Sequence, residues 1–273
     1  MSSGETAAPD LGAARTLLFA PGHRPDRFDK AASSGADAVV LDLEDAVAAE
    51  AKDDAREHVR AWLAGGAPGV VRVNAVGTPW YEDDVAVVAG LATAVMLPKA
   101  DPSTVADVRS RLPASTPIIP LLETARGIDR AAATCAVDGV VRPAFGSVDL
   151  AAELGVRHDD HHALATARSM LVLGAAAAGV RAPLDGVCTT LDDEQVLADD
   201  VREGLRLGMG GKLCIHPRQI ATVHAALAPS EADIAWARRV TAAAAHGGAT
   251  AVDGQMVDKP VLDRARALLS RTP

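Results

Sequence analysis

The feature that most constrains this chain is a repeated alternation. Short apolar runs are each followed by a turn and a longer, alanine-rich stretch of helical character. Eight such runs occur: Thr16 to Ala20, Ala38 to Leu43, Gly69 to Val73, Ala94 to Leu97, Pro117 to Leu122, Val140 to Phe145, Arg181 to Val187 and Gly211 to Ile215. Helices are expected between them, for example over Asp26 to Ser34, Val105 to Leu112, His161 to Gly179 and Asp193 to Leu207, with glycine and proline mostly at their ends. Strands alternating with helices imply a parallel sheet, either closed or open. No G-x-G-x-x-G follows the first run, where an open dinucleotide-binding sheet would place it, so the reading is an α/β fold, a TIM (β/α)8 barrel. The length of 273 residues suits one such domain. Aromatic residues make up only 3%, so aliphatic side chains must fill the core, as they do in barrels of this type.

The barrel is expected over residues 16–228, after a polar N-terminal tail, 1–15, without the apolar block of a signal peptide. Residues 229–273 form a C-terminal helical extension or lid: a helix over Ser230 to His246, a break at Gly247-Gly248 and a last helix over Pro260 to Ser270. A net charge of −9 argues against nucleic acid as a partner. No apolar run is long enough for a membrane span. Three cysteines without a C-x-x-C pair suit a reducing compartment, so a soluble, cytoplasmic protein is expected.

Charged residues gather where the apolar runs end, and that is the end at which barrels assemble their sites. Run two closes on Asp42, Glu44 and Asp45; run three carries Arg72 and Asn74; run four ends at Lys99; run five meets Glu123; Asp149 follows run six; His216 closes run eight. An arginine inside V-V-R-V-N is partly buried and needs carboxylates or an anionic ligand, for which Glu44 and Glu123 are the natural partners. Glu123 and Asp149 have no Cys or His cluster beside them, so oxygen ligation of Mg2+ fits better than zinc; alternatively, Asp149 caps the helix that follows. In the first turn, Arg24, Arg27 and Lys30 stand at a helix N-terminus, either as a phosphate clamp or as a solvated face.

Several segments together resemble the citrate lyase beta-chain family, which includes malyl-CoA, citramalyl-CoA and hydroxymethylglutaryl-CoA-type lyases. They are F-A-P-G-H-R-P-D-R-F at 19–28, V-L-D-L-E-D-A-V at 40–47, V-V-R-V-N at 70–74, V-M-L-P-K-A at 95–100, L-L-E-T-A-R-G at 121–127, F-G-S-V-D-L at 145–150, G-K-L-C-I-H-P-R-Q-I at 211–220 and G-Q-M-V-D-K-P at 254–260. The resemblance implies Mg2+ on Glu123 and Asp149 and Arg72 at the substrate carbonyl; Arg72, Glu44 and Asp258 are the expected catalytic residues. It also implies coenzyme A contacts from the basic first turn, with Lys99 counted among the cofactor-binding residues. Asp258 would reach a neighbouring subunit's site in a homotrimer or hexamer; its alternative role is to cap the last helix. The implied reaction is retro-Claisen cleavage of a 3-hydroxyacyl-CoA thioester to an acyl-CoA and a keto acid or aldehyde. A Mg2+-dependent pyruvate-type aldolase, or a beta subunit active only inside a citrate lyase complex, are the alternatives. Thr166 departs from the family, which often has tyrosine there, and His158, His161 and His162, with Arg157 in the same segment, read as exposed loop histidines.

Overall fold

Eight parallel strands close into a barrel in sequential order in the computed structural model, which describes residues 10–245 and 250–269. The strands are β1 (Thr16–Pro21), β2 (Ala38–Asp42), β3 (Val70–Arg72), β4 (Ala94–Leu97), β5 (Ile118–Leu122), β6 (Ala144–Phe145), β7 (Leu184–Asp185) and β8 (Gly211–Cys214). Helices follow the strands, the longest within residues 10–226 being His161–Ala178, Glu194–Leu207 and Lys52–Ala64. Among the described residues no helix is long and apolar enough to cross a membrane.

Strands six and seven are shorter than their apolar runs, for a local reason. Pro143 and Pro183 lie inside those runs and have no N–H to give a ladder. Their carbonyls still accept: Leu184 N donates to Pro143 O at 3.0 Å and Gly210 N to Pro183 O at 2.8 Å.

Side chains alternate in direction along a strand, so every second residue faces the barrel axis. One buried cluster holds Leu17, Val40, Val70, Met96, Leu121, Leu184 and Leu213. Two residues further along the same faces stand Phe19, Asp42, Arg72 and Glu123. The inward face therefore turns from aliphatic to charged within one pleat, at the C-terminal end of the strands. Outward from β7 and β8, Asp185 and Lys212 are buried in a network with Arg168 and Asp200: Arg168 Nε to Asp185 at 2.8 Å, Lys212 Nζ to Asp185 at 3.1 Å and to Asp200 at 2.5 Å. The opposite mouth is closed by Arg142, 1% exposed, which donates to the carbonyls of Leu11, Ala14 and Ala182.

The chain divides after Ala226 into two compact units. The second contains helices Glu231–Ala245 and Lys259–Leu269 packed through Ala237, Val240 and Ala265, with an antiparallel pair, β9 (Thr250–Val252) and β10 (Gln255–Val257), between them. Asp253 and Gly254 join that pair, both at positive φ, 49° and 79°. A two-residue turn of this kind matches the twist of a hairpin and favours Asp-Gly. The Gly247-Gly248 break expected from sequence lies outside the described residues.

Candidate active site

The charged pleat is organised around Arg72. Its Nε and Nη2 donate to the two oxygens of Asp42, both at 2.7 Å, across the β2–β3 register in which Asp42 and Arg72 are direct neighbours. The remaining nitrogen, Nη1, stands 3.1 Å from Glu44 Oε2 as an ion pair without hydrogen-bond alignment, and 3.6 Å from Asp45. The guanidinium carbon lies 4.8 Å from the centre of the Phe19 ring, a cation–π contact. Burial works against the charge on Arg72, but the hydrogen bond and charge of Asp42 with the charges of Glu44 and Asp45 outweigh it, so its pKa is raised. Sequence reasoning offered Glu44 and Glu123 as its partners. Glu44 is one; the fork is taken by Asp42, a residue the strand register could have named.

Glu44 is buried between two cations. Lys99 Nζ donates to its Oε1 at 2.9 Å while Arg72 faces the other oxygen. Burial nevertheless raises the Glu44 pKa against the opposing charge of Arg72.

Lys99 also takes part through its backbone. Its φ of 49° is left-handed, a conformation that costs a non-glycine residue roughly 1 kcal/mol, and its N–H donates to Glu123 Oε1 at 2.8 Å. Lys99 therefore links Glu44 to Glu123 and is not among the residues lining the basic cleft described below. Glu123, 3% exposed, is pushed up to about 8 by burial first and then by the nearby Glu44 and Asp149; the Lys99 N–H opposes the rise.

Asp149 sits in the first turn of helix Ser147–Leu154, whose N-terminus at Gly146 has no side-chain cap. Capping is thus not its role. Gly146 is required by proximity, since a Cβ there would lie 2.2 Å from the Cβ of Glu123. Glu123, Asp149, Asp42, Arg72, Phe19 and Ser147 line one cleft of about 240 Å³. Among the described residues no cluster of three or more His, Cys, Asp or Glu is arranged to hold a metal. The pair Glu123 and Asp149 suits an ion that takes its other ligands from water and substrate, and the excess negative charge that raises Glu123 is what a divalent cation offsets.

A second cleft of about 490 Å³ shares Phe19, Ala46 and Ile215 with the first and is also lined by Arg27, Lys30 and His216. His216 is shifted below its ordinary pKa by burial and then by the charges of Arg218, Lys30 and Arg27. Asp26 also lines the cleft but is paired with Arg24, which leaves Arg27 and Lys30 to make the lining electropositive. Arg24 is not among its lining residues; its fork is taken by Asp26, at 2.8 and 2.7 Å.

Asp258 lies in the second unit and caps helix Lys259–Leu269 there, accepting from Val261 N at 3.1 Å. His158 contacts Thr189 Oγ1 at 2.9 Å and His161 stands 3.7 Å from Asp200, and neither lines the two clefts.

A profile described as HpcH/HpaI aldolase/citrate lyase matches residues 15–217. The chain belongs to that family. It is accordingly an enzyme of the carbon–carbon lyase class. A citrate lyase subunit beta-like protein of Deinococcus radiodurans is 42% identical over 94% of this chain and 96% of its own. A (3S)-malyl-CoA thioesterase of Cereibacter sphaeroides is 35% identical, covering 94% of each. Among solved structures, protein CitE from Mycobacterium tuberculosis in complex with magnesium, acetoacetate and coenzyme A matches with a TM-score of 0.83 at 40% identity, over 96% of this chain and 99% of that one.

In this family barrel the Arg72 fork is the most geometrically exacting element, because a lysine cannot span both oxygens of Asp42 and still face Glu44. Arg72→Lys is expected to lose nearly as much kcat/KM as Arg72→Ala, on the order of 100-fold or more. Steady-state kinetics on both variants checks this, and a fully active lysine variant would show that charge alone suffices.

Proposed function

We propose that the protein is a Mg2+-dependent lyase that cleaves a 3-hydroxyacyl-CoA thioester between C2 and C3, giving an acyl-CoA such as acetyl-CoA and a keto acid or aldehyde. The observation that carries this is the adjoining pair of clefts: a small one lined by Glu123, Asp149 and Arg72, and a larger electropositive one lined by Arg27 and Lys30. A coenzyme A thioester has that same division, with a small reacting acyl group and a remote polyanionic nucleotide. The M. tuberculosis CitE complex with magnesium, acetoacetate and coenzyme A supports the pairing.

Glu123 and Asp149 would hold Mg2+, which when bound supplies Lewis-acid charge to substrate oxygens. Arg72, its fork on Asp42 fixing the plane of the guanidinium, orients the substrate carbonyl and opposes the negative charge that grows on it. Glu44 and Lys99 keep that guanidinium and Glu123 in register. In the reaction a base takes the 3-hydroxyl proton, the oxygen's electron pair closes a C3=O bond as C2–C3 breaks, the C2–C3 pair becomes the enolate of the acyl thioester, and a proton added at C2 completes the acyl-CoA. Arg27 and Lys30 bind the nucleotide phosphates, and Arg24, held by Asp26, shapes the turn that presents them. The enzyme works as a cytoplasmic homo-oligomer, a trimer or hexamer.

Similarity to a (3S)-malyl-CoA thioesterase supports a second reading, in which the thioester is hydrolysed. Products separate the two. Incubating 3-hydroxyacyl-CoA thioesters with Mg2+ should yield a shorter acyl-CoA and a carbonyl product; release of free coenzyme A with the hydroxy acid intact would favour the thioesterase. Arg27→Ala should raise KM for the coenzyme A thioester, about tenfold or more, and leave a pantetheine thioester nearly unaffected, because only the former carries the phosphates. Equal effects on both would remove the phosphate contact.

Asp258 is proposed to act as base or proton relay for a neighbouring subunit, with helix capping as its contact at home. Co-assembled Asp258→Asn and Arg72→Ala chains, each inactive alone, should then recover activity, since some interfaces pair an intact barrel with an intact tail. A pure cap would instead give Asp258→Asn near-normal turnover and stability, since asparagine caps as well as aspartate, with a loss of about 1 kcal/mol only in Asp258→Ala.

A further inference from the structure

Directly behind Glu44 is a buried cation for which the reaction has no direct use. Lys52, in the first turn of helix Lys52–Ala64, is 5% exposed. Its ammonium donates to Leu43 O at 2.7 Å, Glu44 O at 2.8 Å and Asn74 Oδ1 at 2.7 Å, and the Trp80 ring lies 5.1 Å away. All three N–H groups are thus spent on neutral oxygens, two of them consecutive backbone carbonyls just past β2.

The same two residues are held from the other side. Glu44 N donates to Asp42 Oδ1 at 2.9 Å and Leu43 N to Arg72 O at 2.9 Å. Asn74 braces the clamp: its Nδ2 donates to Leu43 O at 2.8 Å and to Asp84 Oδ2 at 2.6 Å, and Arg56 Nε donates to Asp84 Oδ1 at 2.9 Å. Burying an ammonium costs several kcal/mol unless its protons are all matched, and an unbranched apolar side chain would fill the same volume without that cost. Burial does pull the Lys52 pKa below its ordinary value, against the opposing charges of Asp42, Asp84, Glu44 and Asp45. What the ammonium adds over an apolar chain is direction: it holds the carbonyls of residues 43 and 44 toward itself.

We infer that Lys52 is a positioning residue, whose grip on the Leu43 and Glu44 carbonyls sets the Glu44 carboxylate between Arg72 and Lys99 and thereby sets the Arg72 guanidinium for the reaction. The inference rests on the site reading above. Lys52 touches neither cleft, so its effect passes through the β2 loop.

The test is Lys52→Met beside Arg142→Met, an equally buried cation that also grips backbone carbonyls but at the opposite mouth of the barrel. Both should lower Tm. Lys52→Met alone should cut kcat, by about 10- to 100-fold as for a misplacement near 1 Å, with KM for the thioester within about twofold because the Arg27 and Lys30 cleft is untouched. Its crystal structure should show the Glu44 carboxylate withdrawn from Arg72 and Lys99. Wild-type kcat with Glu44 in place would overturn the inference. If Lys52→Met does not fold, Asn74→Ser, which removes one acceptor of the ammonium, should lower kcat in the same sense, and unchanged kcat there would overturn it equally. Arg72→Ala run in parallel keeps the two readings apart. If that variant is dead and Lys52→Met fully active, only the role of Lys52 falls; if Arg72→Ala is active, the site reading falls and takes this inference with it.

Discussion

Uncompensated negative charge at one mouth of the barrel is the constraint on which the site depends. Asp42, Glu44, Asp45, Glu123 and Asp149 are gathered there, five carboxylates, against Arg72 and Lys99 beside them and Lys52 behind Glu44. Burial pushes Glu123 up to about 8, and the neighbouring charges of Glu44 and Asp149 add to the rise. A divalent cation is the simplest way to restore the balance while keeping Glu123 ionised. The same imbalance explains why Arg72 is held by three carboxylates and why a left-handed backbone at Lys99 is tolerated: each feature adds a donor where acceptors are in excess.

The barrel supplies this arrangement by extending a simple pattern. Inward positions are aliphatic for most of each strand and become charged one pleat later, at Asp42, Arg72 and Glu123. The hydrophobic layer beneath gives the charged layer a dry floor, and Phe19 covers one face of the guanidinium. Gly146 lets the next strand approach Glu123 without a side chain between them. Position, burial and charge are thus fixed by residues with no chemistry of their own.

Much of this was legible in the sequence, because apolar runs with helical spacers have a distinctive period and charged residues mark where each strand ends. Asp42 was harder to rank. It sits among Glu44 and Asp45, and only the pairing register of β2 with β3 puts it opposite Arg72. Strands six and seven were over-extended because hydrophobicity ignores the missing N–H of Pro143 and Pro183. The hairpin at 250–257 had a readable signal in Asp253-Gly254, masked by its position between two helices. Lys99 and Arg24 show the limit of reading basic residues as anion binders: the first faces Glu44 and the second is forked on Asp26, and both contacts depend on side-chain direction. Lys52 gave no signal at all, since a lysine in a helix's first turn is ordinarily solvated.

Anomalous diffraction from crystals soaked with Mn2+, a scatterer that substitutes for Mg2+ at oxygen sites, would test the account most directly. The account predicts a single strong peak in the small cleft, at roughly 2.2 Å from carboxylate oxygens of both Glu123 and Asp149. A peak bound elsewhere, or none at saturating Mn2+, would contradict it.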